Sequence, residues 1–417
     1  MTDHIHILEI IDSRGNPTLK ASYTKTAPHI TAHVPSGAST GAHEAVELRD
    51  NDALWNGKGV SHAAGNARAL AQQLDWEPAN VMQADKKLLQ VDGTPDKSRM
   101  GANALLALSL LQARVQAHQQ KIPLHQLVAN LAHTKPALPL PFSNVINGGD
   151  HAGNALAFQE FMIVPVTAST FYEATRIVCE VTHALKKIIA EKYGAAQTSV
   201  GDEGGFAPDI SSPQEACELL LAASKLAGHE VAIALDAAAS EFLEGDVYVL
   251  SDEMRLSSAQ LAQVYVSLAE QYPIVSIEDP FAEDDFASFA ALRKLLEDKG
   301  LTCQVVGDDL TVTNPERIHR AINAKSANSL LLKVNQIGTV TESIHAAQLA
   351  FDNDWTVMVS HRSGETEDAF IADLATGLGC GQIKLGAPVR GERTAKYNQL
   401  LWLEDQFRLP LRNDFHK

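Results

Sequence analysis

Six short apolar runs in the second half of the chain each stop at an ionisable residue. This recurrence constrains the fold more than any other feature of the sequence. Ala232, Ile233, Ala234 and Leu235 run into Asp236, and Ile274 to Ile277 into Glu278. Val305 and Val306 lead through Gly307 to Asp308, and Leu330 to Leu332 lead to Lys333. Val357 to Ser360 precede His361, Arg362 and Ser363, and Ile383 precedes Lys384. The terminal residues are spaced by 42, 30, 25, 28 and 23 positions. Each step has the length of a strand, a helix and two loops, which predicts a parallel β/α barrel with its active site at the C-terminal strand ends.

The chain of 417 residues is long enough for two domains. Before the barrel pattern begins, short strand-like runs mix with helices, and residues 12–17 read as a turn between strands. The Pro-rich stretch 135–141 is the best linker candidate, because closely spaced prolines cannot continue a helix. The expected architecture is therefore a smaller α+β N-terminal domain over 1–134, then a β/α (TIM-type) barrel over 135–417. Apolar residues from Phe171 to Ile189 recur at helical spacing, and Gly194 ends that run.

A net charge of −17 makes nucleic acid a poor partner. An anionic small substrate then requires local cations: bound metal and a few placed Lys and Arg residues. No basic stretch followed by a long apolar run opens the chain, so no secretory signal is expected. The most apolar stretch, near Leu105 to Leu111, is too short and too polar to span a bilayer. Cys179, Cys217, Cys303 and Cys380 show no paired spacing, which fits reduced thiols in the cytoplasm.

Asp236, Glu278 and Asp308 end three successive strands. Three convergent carboxylates repel one another unless a cation sits among them, and oxygen-only ligation selects a hard ion such as Mg²⁺. Lys333 and Lys384 follow on later strands. A lysine beside a divalent cation and a second lysine is expected to have a depressed pKa and to serve as a base. Proton removal next to a carboxylate builds negative charge that a metal stabilises. Read alone, His151 is a surface-loop histidine, 36–41 a flexible small-residue loop and Glu203 a turn residue.

The segments VPSGASTG at 34–41, NGGDHAGN at 147–154, FQEFM at 158–162 and VGDEGGFAP at 200–208 resemble those of the glycolytic enolases. So do SIEDPF at 276–281, DDLTVTN at 308–314, LLKVNQIG at 331–338 and SHRSGETED at 360–368. The likeness covers nearly the whole chain, in the family's order. It implies the Mg²⁺-dependent dehydration of 2-phosphoglycerate to phosphoenolpyruvate on a barrel whose first repeat departs from strict βα alternation. It implies that Asp236, Glu278 and Asp308 hold a tight Mg²⁺, and that Ser39 binds a second Mg²⁺ once substrate is present. Lys333 corresponds to the base at C2, and Glu203, with Glu160 beside it, to the acid at the C3 hydroxyl. His151 and His361 correspond to catalytic-loop histidines. Lys384 corresponds to a holder of the substrate carboxylate, Arg362 and Ser363 to phosphate ligands, and Gln159 to a residue of the same pocket.

The resemblance also implies a homodimer in the cytoplasm, with an additional surface pool in some relatives. This chain departs from the pattern at Leu385, Gly391, Lys20 and Trp402. The last two replace an ion pair that the family forms across its dimer interface, so an altered interface is expected there. The rival readings are a different acid–base enzyme of the same superfamily and a binding protein that keeps the fold without catalysis.

Overall fold

The structure, a computed structural model, describes residues 4–38, 40–149, 152–251 and 253–415. It begins with a three-stranded antiparallel sheet of β1 (Ile5–Ile11), β2 (Pro17–Tyr23) and β3 (Ile30–His33). The β1–β2 turn is held by Asp12, whose Oδ1 accepts the backbone N–H groups of Arg14 and Asn16, both at 2.9 Å. Gly15 takes a left-handed φ of 76° there, which an L side chain would resist. Four helices follow: α1 (Ser61–Ala71), α2 (Val81–Asp92), α3 (Ala102–Gln120) and α4 (Leu124–Ala132). The apolar stretch near Leu105 lies in α3, which is buried over most of its length and packs on β2, β3, α1 and α2. Among the described residues no helix is long and apolar enough to cross a membrane.

The barrel starts with β4 (Leu138–Asn147) and β5 (Glu160–Val164), then α5 (Phe171–Tyr193), α6 (Pro213–Ala227) and β6 (Ala232–Asp236). A small antiparallel excursion of β7 (Leu243–Glu244), β8 (Val247–Ser251) and β9 (Met254–Leu256) follows, then α7 (Ser258–Gln271) and β10 (Ile274–Glu278). The alternation continues with α8 (Phe286–Asp298), β11 (Gln304–Gly307), α9 (Pro315–Ala324) and β12 (Ser329–Leu332). It closes with α10 (Val334–Ile337), α11 (Val340–Phe351), β13 (Thr356–Ser360), α12 (Phe370–Leu378), β14 (Gly381–Lys384), α13 (Gly391–Phe407) and the short β15 (Leu411–Arg412). β14 pairs back onto β4, so eight strands form a closed barrel, with β15 attached to β4 outside the ring.

The expected irregularity is present and specific. β5 runs antiparallel to both β4 and β6, whereas the other neighbours in the ring are parallel. The Pro-rich stretch differs from the expected linker, because β4 already begins at Leu138 and contains Pro139 and Pro141. These prolines are tolerated because they fall where β4 pairs only with β14 and β15. Pairing with β5 starts at Ser143, beyond the residues that lack an N–H. The helix over Phe171–Tyr193 ends at Gly194, as its periodicity predicts.

Candidate active site

The parallel strands deliver their last residues to one rim. Asp236 and Glu278 close β6 and β10 in mutual register, and Lys384 closes β14 in register with Ser360 of β13. Because β5 runs the other way, its first residue reaches the same rim, and Glu160 lies in register with Asp236. Lys384 Nζ sits among these carboxylates, 2.9 Å from Asp236 Oδ2, 2.8 Å from Glu278 Oε1 and 3.2 Å from Glu160 Oε2. Lys333 Nζ makes a short contact with Asp308 Oδ2. Asp279 accepts the backbone N–H groups of Asp308 at 3.0 Å and Asp309 at 2.6 Å, which fixes the turn that presents both.

Carboxylates outnumber cations in this recess of about 430 Å³. Burial first, and neighbouring carboxylates next, push Glu160, Glu278, Asp279 and Asp309 well above the usual carboxylate range. Such a site takes up protons or a cation. With oxygen donors only, the cation it suits is a hard divalent ion. Among the described residues, Asp279, Asp308 and Asp309 can bring ligand atoms within 4.8 Å of one another. Asp236 and Glu278 engage the Lys384 ammonium, and Asp308 engages that of Lys333. Burial opposes the charge of Lys333, but the carboxylates around it, Asp308 foremost, together hold the ammonium above its ordinary value.

On the opposite wall, Arg393 Nη1 lies 2.7 Å from His361 Nδ1. A guanidinium only donates, so Nδ1 accepts and the ring proton resides on Nε2. That nitrogen is 3.3 Å from Glu203 Oε2. Burial lowers the His361 pKa to about 3 in spite of Glu203, so the ring is neutral and acts as a donor. Asn144 Nδ2 donates to Glu203 Oε2 at 3.0 Å. Glu203 is thus buried, accepting from Asn144 and lying beside the His361 ring.

Family models match both parts of the chain: the N-terminal domain of enolase over residues 2–128 and its C-terminal TIM barrel domain over 135–410. A curated relative, the enolase of Methanocaldococcus jannaschii, is 52% identical over 406 residues, covering 96% of this chain and 94% of its own. The chain belongs to the enolase family.

Within that enolase frame, Arg362, Ser363, Gln159 and Lys384 all line the recess, together with Glu160, Glu203, Asp236, Asp308, Lys333 and His361. Gln159 Nε2 approaches Asp236 Oδ2 at 3.4 Å. Gly364 exchanges two 2.8 Å backbone hydrogen bonds with Ser36, which docks the N-terminal domain beside Ser363. A Cβ at Gly364 would come within 2.5 Å of Asp12 Oδ2, so the approach requires glycine. Ser39 and His151 lie outside the described residues. The sequence reading missed Asn144, Arg393, Asp279 and Glu44 as site residues. The SIEDPF and DDLTVTN motifs carried a signal for Asp279; the others gather only through the fold.

Proposed function

We propose that this enolase-family chain is a phosphopyruvate hydratase that dehydrates 2-phosphoglycerate reversibly to phosphoenolpyruvate with Mg²⁺. The observation that carries the reading is that one recess is lined by both Lys333, set on Asp308, and Glu203, held by Asn144 beside His361. Lys333 takes the proton from C2, and Glu203 delivers one to the C3 hydroxyl as it leaves as water. Glu160 shares the acidic side of the site with Glu203, its raised pKa keeping a proton available there. The His361 Nε2–H holds Glu203 in place. Lys384 binds the substrate carboxylate, Arg362 and Ser363 bind the phosphate, and Gln159 lines the pocket. Asp236, Glu278 and Asp308 would hold a divalent cation, which would supply positive charge toward the substrate carboxylate. Ser39 would join a second Mg²⁺ once substrate is bound, and His151 would act from the catalytic loops.

The same reading places the domain boundary at 134/135, the protein in the cytoplasm and two copies in the assembly. Trp402 on α13 and Leu8 and Ile11 on β1 are exposed apolar side chains, 49%, 58% and 61% accessible, which supports a partner copy on these faces. Proton exchange at C2 of 2-phosphoglycerate in D₂O tests the assignment of the base. Lys333→Ala is expected to lose exchange by at least about 10²–10⁴-fold while keeping its fold. Exchange at the parental rate would overturn it.

A further inference from the structure

The Arg362 guanidinium is engaged by a carboxylate from the N-terminal domain. Nη1 donates to Glu44 Oε2 at 2.9 Å and to Asn335 Oδ1 at 3.0 Å, and Nη2 donates to Glu44 Oε1 at 3.0 Å. Both side chains are buried, 3% and 8% accessible. Burial disfavours the guanidinium charge, and Glu44 more than restores it. Two parallel N–H···O bonds are also the geometry in which a guanidinium receives a phosphate. Glu44 and a substrate phosphate therefore compete for one fork. A phosphate brought against a stationary Glu44 would meet like charge in a site with little water to screen it.

Glu44 is tied to two other parts of the site. Its Oε1 accepts the backbone N–H of Gly41 at 3.2 Å and Gln336 Nε2 at 3.3 Å. Gln336 Nε2 in turn donates to Asp308 Oδ1 at 2.8 Å. Glu44 thus links the end of the small-residue segment 36–41 to the end of β11 and to Arg362.

We propose that Glu44 is an internal stand-in for the substrate phosphate, holding the Arg362 fork in shape and yielding it when phosphate arrives. The proposal rests on the reading that Arg362 binds phosphate. Glu44 is a positioning residue: it acts through Arg362. A merely structural role would make its loss weaken anion binding, whereas competition makes its loss strengthen it.

Calorimetry of inorganic phosphate binding to the Mg²⁺-loaded protein separates these outcomes. Glu44→Gln is expected to bind phosphate about tenfold more tightly than the parent, since hydrogen bonds to a charged group must be broken in the parent. In an Arg362→Met background the same substitution is expected to change nothing. Glu44→Asp, which keeps the charge on a shorter arm, is expected to fall between parent and Glu44→Gln, and it provides the test should Glu44→Gln fold poorly. Unchanged or weaker phosphate binding in a folded Glu44 variant overturns the proposal, while weakening by Arg362→Met alone leaves the phosphate role of Arg362 standing. Parental phosphate binding in Arg362→Met removes that role and the proposal with it.

Discussion

Glu160, the first residue of β5, is paired in register with Asp236, the last residue of β6. The pairing follows from the reversed direction of β5. It brings a carboxylate from the start of one strand to the rim where the others end. Lys384 Nζ then bridges the two at 3.2 and 2.9 Å, so base-side and acid-side groups share one electrostatic unit. Removing one charge here changes the protonation of the others.

Glu203→Gln is expected to separate the two halves of the reaction. The amide still accepts from Asn144 and His361 but donates no acidic proton to a leaving hydroxyl. Exchange at C2 should persist within severalfold of the parent, while dehydration falls by roughly 10²–10⁴-fold. Parallel loss of both would assign Glu203 to the first step or to the scaffold.

A second prediction concerns the seam between the domains. Arg114 of α3 donates to Asp368 through Nη1 at 2.6 Å and Nη2 at 2.7 Å, and Asp368 also accepts the backbone N–H of His33 at 3.0 Å. Burial alone would raise the Asp368 pKa, but Arg114 overrides it and lowers the value from 3.8 to about 2. The folded carboxylate thus holds its proton less tightly than the unfolded one. The stabilisation is present above about pH 4 and is lost as pH falls through about 2. Its size is about 2 kcal/mol. Urea unfolding between pH 2 and 5 should show this drop in the parent and lack it in Asp368→Asn, which should itself be less stable by about 3 kcal/mol because Arg114 is left unpaired.

The barrel was legible because six strand-end residues are spaced by one β/α unit each, and burial on both faces of parallel strands leaves continuous apolar runs. The turn at 12–17 was legible from its turn residues, and α5 from its periodicity up to Gly194. The direction of β5 was not legible, since Glu160-Phe161-Met162-Ile163-Val164 reads the same as a parallel or antiparallel buried strand. Nor was the start of β4, because prolines signal a break unless it is known that the strand there lacks its β5 neighbour. Glu44 and Arg393 escaped for a different reason. Each is an ordinary charged residue until the fold sets it against Arg362 or His361. Most of the candidate site was reached through motif resemblance; Asp236, Glu278, Asp308 and Lys333 were also suggested by position alone.

The third prediction addresses assembly. Lys20 lies on β2 opposite His33 of β3, and Trp402 packs edge-on against Phe407 with ring centres 5.7 Å apart. Sedimentation at micromolar concentration is expected to show a dimer. Lys20→Glu should leave it intact, since no charge at Trp402 opposes or attracts either residue. A fully active monomer would contradict the dimer and point to the loss of the ion pair as its cause.

The central claim is tested most directly by following phosphoenolpyruvate formation from 2-phosphoglycerate by ultraviolet absorbance, first after chelator treatment and then with Mg²⁺ restored. The account predicts conversion that disappears with the chelator, returns with Mg²⁺ and stays absent in Lys333→Ala under both conditions. A folded, Mg²⁺-loaded parent protein that forms no phosphoenolpyruvate would contradict it.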